Sequence, residues 1–196
     1  MWVKKIYAGI TSSLPEFEDC TIFDYYDDEL LLIENALLTA EGALAVAISD
    51  YPGRLSGTKC LITGFGRIAK VLCEKLKALD TTVYVAARKL QDRIWINNSG
   101  ATAVEFCDIP SIAKDINIIF NTVPAMVINE SIIKNLDKNS IIIDLASAPG
   151  GTDFEAATQY SVKAELLPGI PGKYSPLAAA DIIKETIFRL LREAEK

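Results

Sequence analysis

The residues with the clearest chemical meaning form one short run, Gly64-Phe65-Gly66-Arg67-Ile68-Ala69. It follows the apolar Lys59-Cys60-Leu61-Ile62-Thr63 and opens an amphipathic stretch reaching Leu79, after which Thr82-Val83-Tyr84-Val85-Ala86-Ala87-Arg88 reads as a second strand. Strand, G-x-G-x-x-A turn, helix and strand in this order are the pattern of a dinucleotide-binding βαβ unit. Gly64 permits the tight turn, Gly66 lets the backbone approach a pyrophosphate, and Ala69 is small enough for helix to pack on strand. The first turn of the helix, at Arg67 and Ile68, offers free N–H groups and partial positive charge to phosphate. A Gly-rich turn that serves packing alone is the other reading.

The end of the second strand bears on the choice of nucleotide. NAD sites commonly place an acidic residue there for the ribose 2′-OH. Here the positions hold Ala86, Ala87, Arg88 and Lys89. No carboxylate repels a 2′-phosphate and a guanidinium is available to hold one, which favours NADP over NAD. The alternative is that Arg88 caps a strand and faces water.

The chain has 196 residues, half of them hydrophobic, and a net charge of −6. That length suits one domain, or one domain with a fragment of another. The negative balance and the lack of a long basic block make nucleic acid and a membrane surface unlikely partners. No apolar run is read as reaching membrane-spanning length, and the N-terminus lacks a signal-peptide pattern. Cys20, Cys60, Cys73 and Cys107 are scattered without C-x-x-C pairs, as reduced cysteines of a cytoplasmic protein are. There is no histidine. Ser-His and Cys-His nucleophiles and the usual zinc sites are therefore excluded, no metal site is expected, and no catalytic residue can be assigned.

The elements that position these residues alternate. Residues 2–9 and 21–26 read as two strands of a partial N-terminal α/β lobe (1–38), whose exposed edge suggests self-association or a partner. A connecting helix (39–50) starts with Thr39 as N-cap. Residues 51–174 form the nucleotide-binding domain. Within it strands fall near 101–106, 115–121, 140–145 and 162–166, and helices near 90–99, 109–114, 129–136 and from Asp153. Residues 167–176 read as a stiff loop, and 175–196 as a C-terminal helix. The class is α/β, a doubly wound parallel sheet of the Rossmann-like NAD(P)-binding type.

Ligands of such sheets bind outside the carboxyl ends of the strands. Asn121-Thr122-Val123-Pro124 lies there, with Asn121 and Thr122 placed to bond a ribose or carboxamide and Pro124 to shape the wall. Asn121 reads alternatively as a strand-end cap. Ala146-Ser147-Ala148-Pro149-Gly150-Gly151 and Pro168-Gly169-Ile170-Pro171-Gly172 are close-approach loops with N–H groups suited to a carboxylate. Asp144 ends an Ile-Ile-Ile-Asp strand as a buried carboxylate or a loop cap. Glu41 and Asn35 lie on the connecting segment, from which they could reach the same cleft.

Three segments, 121–125 (NTVPA), 143–154 (IDLASAPGGTDF) and 167–172 (LPGIPG), resemble the family of dipicolinate synthase A subunits, as does the stretch Glu34-Asn35 through Thr39-Ala40-Glu41-Gly42. The resemblance covers most of the chain, although Leu37-Leu38 stands where Ile-Pro is expected. Family members are longer and begin with a further α/β half-domain, of which this chain is expected to hold the last strands. The resemblance implies oxidation of dihydrodipicolinate to dipicolinate during sporulation, with NADP as hydride acceptor and with the flavoprotein-like B subunit of dipicolinate synthase for a partner. It also implies a small dicarboxylate substrate near Glu41, Ala146, Ser147, Gly169 and the cation Lys173. The alternative is a non-catalytic NADP-binding or scaffold protein supporting the B subunit.

Overall fold

A computed structural model describes residues 4–11, 14–15 and 20–194. It opens with a parallel pair, β1 (Lys4–Ala8) and β2 (Cys20–Asp24), in register from Lys4 opposite Cys20 to Ala8 opposite Asp24. A 3-10 turn at Tyr25–Asp27 leads into α1 (Glu29–Asp50). There follow β3 (Lys59–Thr63), α2 (Arg67–Ala78), β4 (Thr82–Ala86), α3 (Leu90–Asn98), β5 (Thr102–Val104), α4 (Ile109–Ile112) and β6 (Ile118–Asn121). The chain continues through α5 (Glu130–Ile133), β7 (Ile141–Asp144), α6 (Phe154–Gln159), β8 (Lys163–Leu166), α7 (Ile170–Tyr174) and α8 (Pro176–Glu193).

Strands β3 to β8 form one six-stranded sheet, all parallel, in the order β5-β4-β3-β6-β7-β8. The doubly wound α/β reading therefore holds. The central strands are apolar on both faces because both faces are covered. Ile62, Phe120 and Ile143 pack with α1, α2 and α3, while Leu61, Ile119 and Ile142 pack with α4, α5 and α6. Winding reverses between β3 and β6, so the chain leaves these two neighbours toward opposite sides and opens a crevice at their carboxyl ends.

Helices α1 and α7 differ from the sequence reading. No helix starts at Thr39. Helix α1 begins ten residues earlier, capped by Asp28, whose carboxylate accepts the Leu31 N–H at 2.9 Å. Leu30 to Leu38 contains no breaker, so the helix runs through the expected 38/39 boundary, and the Thr39 hydroxyl donates to the Asn35 carbonyl inside it at 2.7 Å. As one piece, α1 is long and apolar enough to cross a membrane, unlike the two shorter pieces read from the sequence. Half of that stretch is buried, and the helix packs on α2, α7, α8 and β7, as a core helix does. The second difference is α7, which lies inside the expected stiff loop. Gly169 adopts the left-handed conformation (φ 68°) and starts it, with a proline in its first turn.

Candidate functional site

Thr63 and Asn121 sit side by side at the ends of β3 and β6, at the mouth of the crevice. Gly64 follows Thr63 with φ 85°. A Cβ there would lie 2.9 Å from Thr122 Oγ1 and 3.0 Å from Val123 Cγ2, so only glycine turns here without displacing β6's exit. Gly66 is the extended N-cap of α2 and contributes no side-chain cap. A Cβ on Gly66 would meet nothing within 4 Å. The N-terminus of α2, whose first N–H groups have no partner within the helix, thus starts beside open space at a residue with no side chain, a shape that fits a pyrophosphate. Ala69 is fully buried beneath this turn.

The other residues of the turn divide their work. Arg67 contributes its backbone only, because its guanidinium grips Glu29 in a two-point ion pair at 2.9 and 2.7 Å. That pair holds the Glu29 carboxyl below its usual range. Phe65 is half-buried, with the Lys70 ammonium 5.4 Å from its ring centre.

At the end of β4, Ala87 is buried and Arg88 and Lys89 are exposed. The Arg88 carbonyl accepts from Arg93 Nη1 at 2.8 Å, and Arg93 pairs with Glu105 at 2.9 Å. The nearby carboxylate is therefore occupied, and the Arg88 guanidinium makes no ion pair or hydrogen bond among the described residues. Arg88 lines a cavity of about 510 Å³ whose walls include Phe106, Pro110, Val123 and Met126. Its size and apolar walls suit a flat heterocycle. Phe106 is absent from the sequence-derived site because 101–106 reads there as strand throughout, and Pro110 because it reads only as the start of a short helix. Strand β5 stops at Val104; a 3-10 turn at Phe106–Asp108 brings Phe106 to the cavity, and the first turn of α4 brings Pro110.

Asn121 and Thr122 take structural parts instead of ligand-facing ones. Asn121 is fully buried. Its side-chain oxygen accepts from Thr63 Oγ1 at 2.5 Å and the Val123 N–H at 3.1 Å; its nitrogen donates to Asp144 Oδ1 at 2.8 Å and the Val123 carbonyl at 3.1 Å. An amide with both donors and both acceptor positions used has none left for a ligand. The strand-end cap is thus the reading the geometry supports. The Thr122 hydroxyl likewise donates back to the Thr63 carbonyl at 2.6 Å. Pro124 is exposed and lines neither cavity.

Asp144, fully buried at the end of β7, is both the buried carboxylate and the loop cap. Besides the Asn121 amide it accepts the Ala146 N–H (3.1 Å), the Gly151 N–H (2.8 Å) and the Thr152 hydroxyl (2.7 Å). This folds the loop 145–151 over the edge of the sheet and points Ser147 outward. Ala146, Ser147 and Gly169 meet in a second cavity of about 620 Å³, with Ile68 from the first turn of α2 and Asn35 and Thr39 from α1. Two sequence-derived candidates are not brought there. Glu41 turns to α2 and pairs with Lys75 at 2.9 Å, and Lys173 lies 5.5 Å from the Tyr174 ring centre, outside the cavity lining. The helical phase of α1 explains Glu41: Asn35 and Thr39, four apart, share one face, and Glu41 falls on another. No Asp, Glu, Lys or Arg lines this second cavity among the described residues. What the site can do is bind an extended dinucleotide along the glycine turn and hold a small molecule against an uncharged wall.

Residues 36–150, more than half of the chain, match the family described as D-isomer specific 2-hydroxyacid dehydrogenase, NAD binding domain. The chain is 31% identical over 170 residues to the A subunit of dipicolinate synthase from Bacillus subtilis (strain 168), an overlap of 87% of this chain and 57% of that protein. The crystal structure of the dipicolinate synthase A chain from Bacillus subtilis superposes with a TM-score of 0.89 at 29% identity, over 98% of this chain and 66% of that one. The crystal structure of the Bacillus halodurans counterpart gives 0.87 at 28% identity, over 95% and 66%. The chain thus spans somewhat under two thirds of the length of these relatives.

Proposed function

The chain belongs to the family of D-isomer specific 2-hydroxyacid dehydrogenase NAD-binding domains, and from that premise we propose that it is the dinucleotide-binding subunit of a dipicolinate synthase, oxidising dihydrodipicolinate to dipicolinate with NADP as acceptor during sporulation. One observation carries this reading. At the first turn of α2, the open glycine turn adjoins a cavity walled by 145–148 and 167–172, segments through which the sequence resembles dipicolinate synthase A subunits. Gly64 to Ile68 hold the pyrophosphate with backbone N–H groups. Val123 and Phe106 flank the adenine pocket, and Arg88, with Lys89 beside it, binds the 2′-phosphate that distinguishes NADP.

The bound dinucleotide supplies a hydride-accepting ring, and loss of a hydride and a proton makes the substrate ring aromatic. The chain's own contribution is to position the substrate against the apolar side chains of Ile68, Leu145 and Ile170, in a chamber whose mouth stays open to solvent. Because aromatisation drives the reaction, the proton can leave to water. Pairing with the synthase's B subunit, a cytoplasmic location and homo-oligomerisation complete the proposal. The uncharged lining of the larger cavity favours a second reading, an NADP-binding protein that supports the B subunit without catalysis of its own. A mixing experiment separates the two: dihydrodipicolinate generated in situ and NADP⁺, with this chain alone, with the B subunit alone and with both. Dipicolinate formation by this chain in the absence of the B subunit supports the catalytic reading over the supporting one, which predicts none from this chain alone. An unchanged rate without this chain refutes the catalytic reading.

A further inference from the structure

The larger cavity contains a polar side chain that the fold itself does not employ. Asn35 lies on α1, half-buried, with its carbonyl occupied by the Thr39 hydroxyl. Its carboxamide makes no hydrogen bond among the described residues and lines the cavity. The contrast with Asn121 is direct, because there every donor and acceptor is used within the protein. Ser147 lines the same cavity on the loop that Asp144 fixes, and its hydroxyl is also without a partner among the described residues. The remaining wall is largely aliphatic, including Ile68, Leu145, Ile170 and Ile183, and carries no charged side chain. The half-buried carboxamide is reached by solvent, so the cost falls on a ligand: one that displaces water from it without pairing is penalised, and a site of this kind rejects it.

We propose that Asn35 is the substrate-selecting residue of this cavity. Its amide N–H₂ donates to a carboxylate oxygen of a small planar dicarboxylate, and the Ser147 hydroxyl binds the same molecule from the loop side. Neutral donors thus do the work that Lys173 and Glu41, turned elsewhere, do not. The inference rests on the reading of this cavity as the substrate chamber.

The test is calorimetric titration of dipicolinate, in metal-free buffer, into the full chain saturated with NADPH. Asn35→Asp keeps the shape and puts a carboxylate against a carboxylate; Asn35→Leu keeps the bulk and removes the donor. Both variants are expected to weaken dipicolinate binding by about tenfold or more, the loss associated with one hydrogen bond to a charged group, while NADPH affinity stays at the wild-type value. Unchanged dipicolinate affinity in both variants overturns the role of Asn35 and leaves the substrate reading standing. Parallel loss of NADPH affinity also overturns it, as the mark of a distorted fold. A wild-type chain that binds NADPH but not dipicolinate overturns both the inference and the reading beneath it.

Discussion

Replacing Asp144 by asparagine changes one atom and tests how the carboxyl edge of the sheet is held. Asp144 is fully buried and accepts four hydrogen bonds, two on each oxygen. Oδ1 takes the Asn121 amide and the Ala146 N–H; Oδ2 takes the Gly151 N–H and the Thr152 hydroxyl. The new amide keeps one acceptor oxygen. Asn121 cannot turn over to help, because its own oxygen is fixed by Thr63 and the Val123 N–H. The new nitrogen must therefore stand where Oδ2 was. There the Thr152 hydroxyl can rotate and accept from it, but the Gly151 N–H is left facing a donor. A stranded buried N–H costs about 1–3 kcal/mol, and the two bonds kept on the other oxygen lose their charge assistance, so the total comes to about 2–4 kcal/mol. In a chain of this size each kcal/mol lowers Tm by about 2–4 °C, so thermal unfolding should begin roughly 4–16 °C earlier. Hydrogen exchange at the Gly151 amide should accelerate in parallel. A Tm within about 2 °C of wild type would show that the network does not hold the loop as described.

Two further perturbations have signs set by the structure. A Cβ on Gly42 would lie 2.2 Å from Ile170 Cγ2, and Ile170 is 2% exposed, so Gly42→Ala must push α7 away from α1. Urea unfolding should show a loss of about 1–3 kcal/mol; the gain of about 1 kcal/mol normal for alanine in mid-helix would contradict this packing. Asp28 caps α1 and pairs with Arg189 at 2.6 Å, which holds its carboxyl below the usual range. Its contribution is complete above the unfolded value of about 3.9 and is lost as pH falls through the lower folded value. Asp28→Ala should therefore lower Tm by a constant amount between pH 5 and 8, with the gap closing below about pH 4, and calorimetry that finds it undiminished in strong acid refutes the assignment.

The parts of this molecule legible in the sequence are those whose physics is local. Runs such as Ile118-Ile119-Phe120 and Ile141-Ile142-Ile143 can only be strands covered on both faces, and Gly64 and Gly66 mark a turn whose need for glycine comes from its own backbone and nearest neighbours. Features that depend on packing across the sheet were not legible. The continuity of α1 through Thr39 is local in part, since Asp28 caps the helix and 30–38 holds no breaker, but its burial against α2 and α7 is reported by no local signal. The inward turn of Asn121 depends on Thr63 and Asp144, 58 residues before it and 23 after it. Glu41 and Lys173 are plausible by charge alone and are excluded by helical phase and by the placing of α7. Gly42 shows the reverse case: a residue within the Thr39-to-Gly42 stretch that carries the family resemblance has a structural reason, the close approach of Ile170.

Titration of the chain with NADPH and NADH, with and without Arg88→Ala, tests the central claim most directly. The wild-type chain should bind both and NADPH about tenfold or more tightly, the margin one charge-assisted contact gives, and Arg88→Ala should remove most of that margin while leaving NADH affinity unchanged. Failure to bind either dinucleotide, or tighter binding of NADH, would contradict the account.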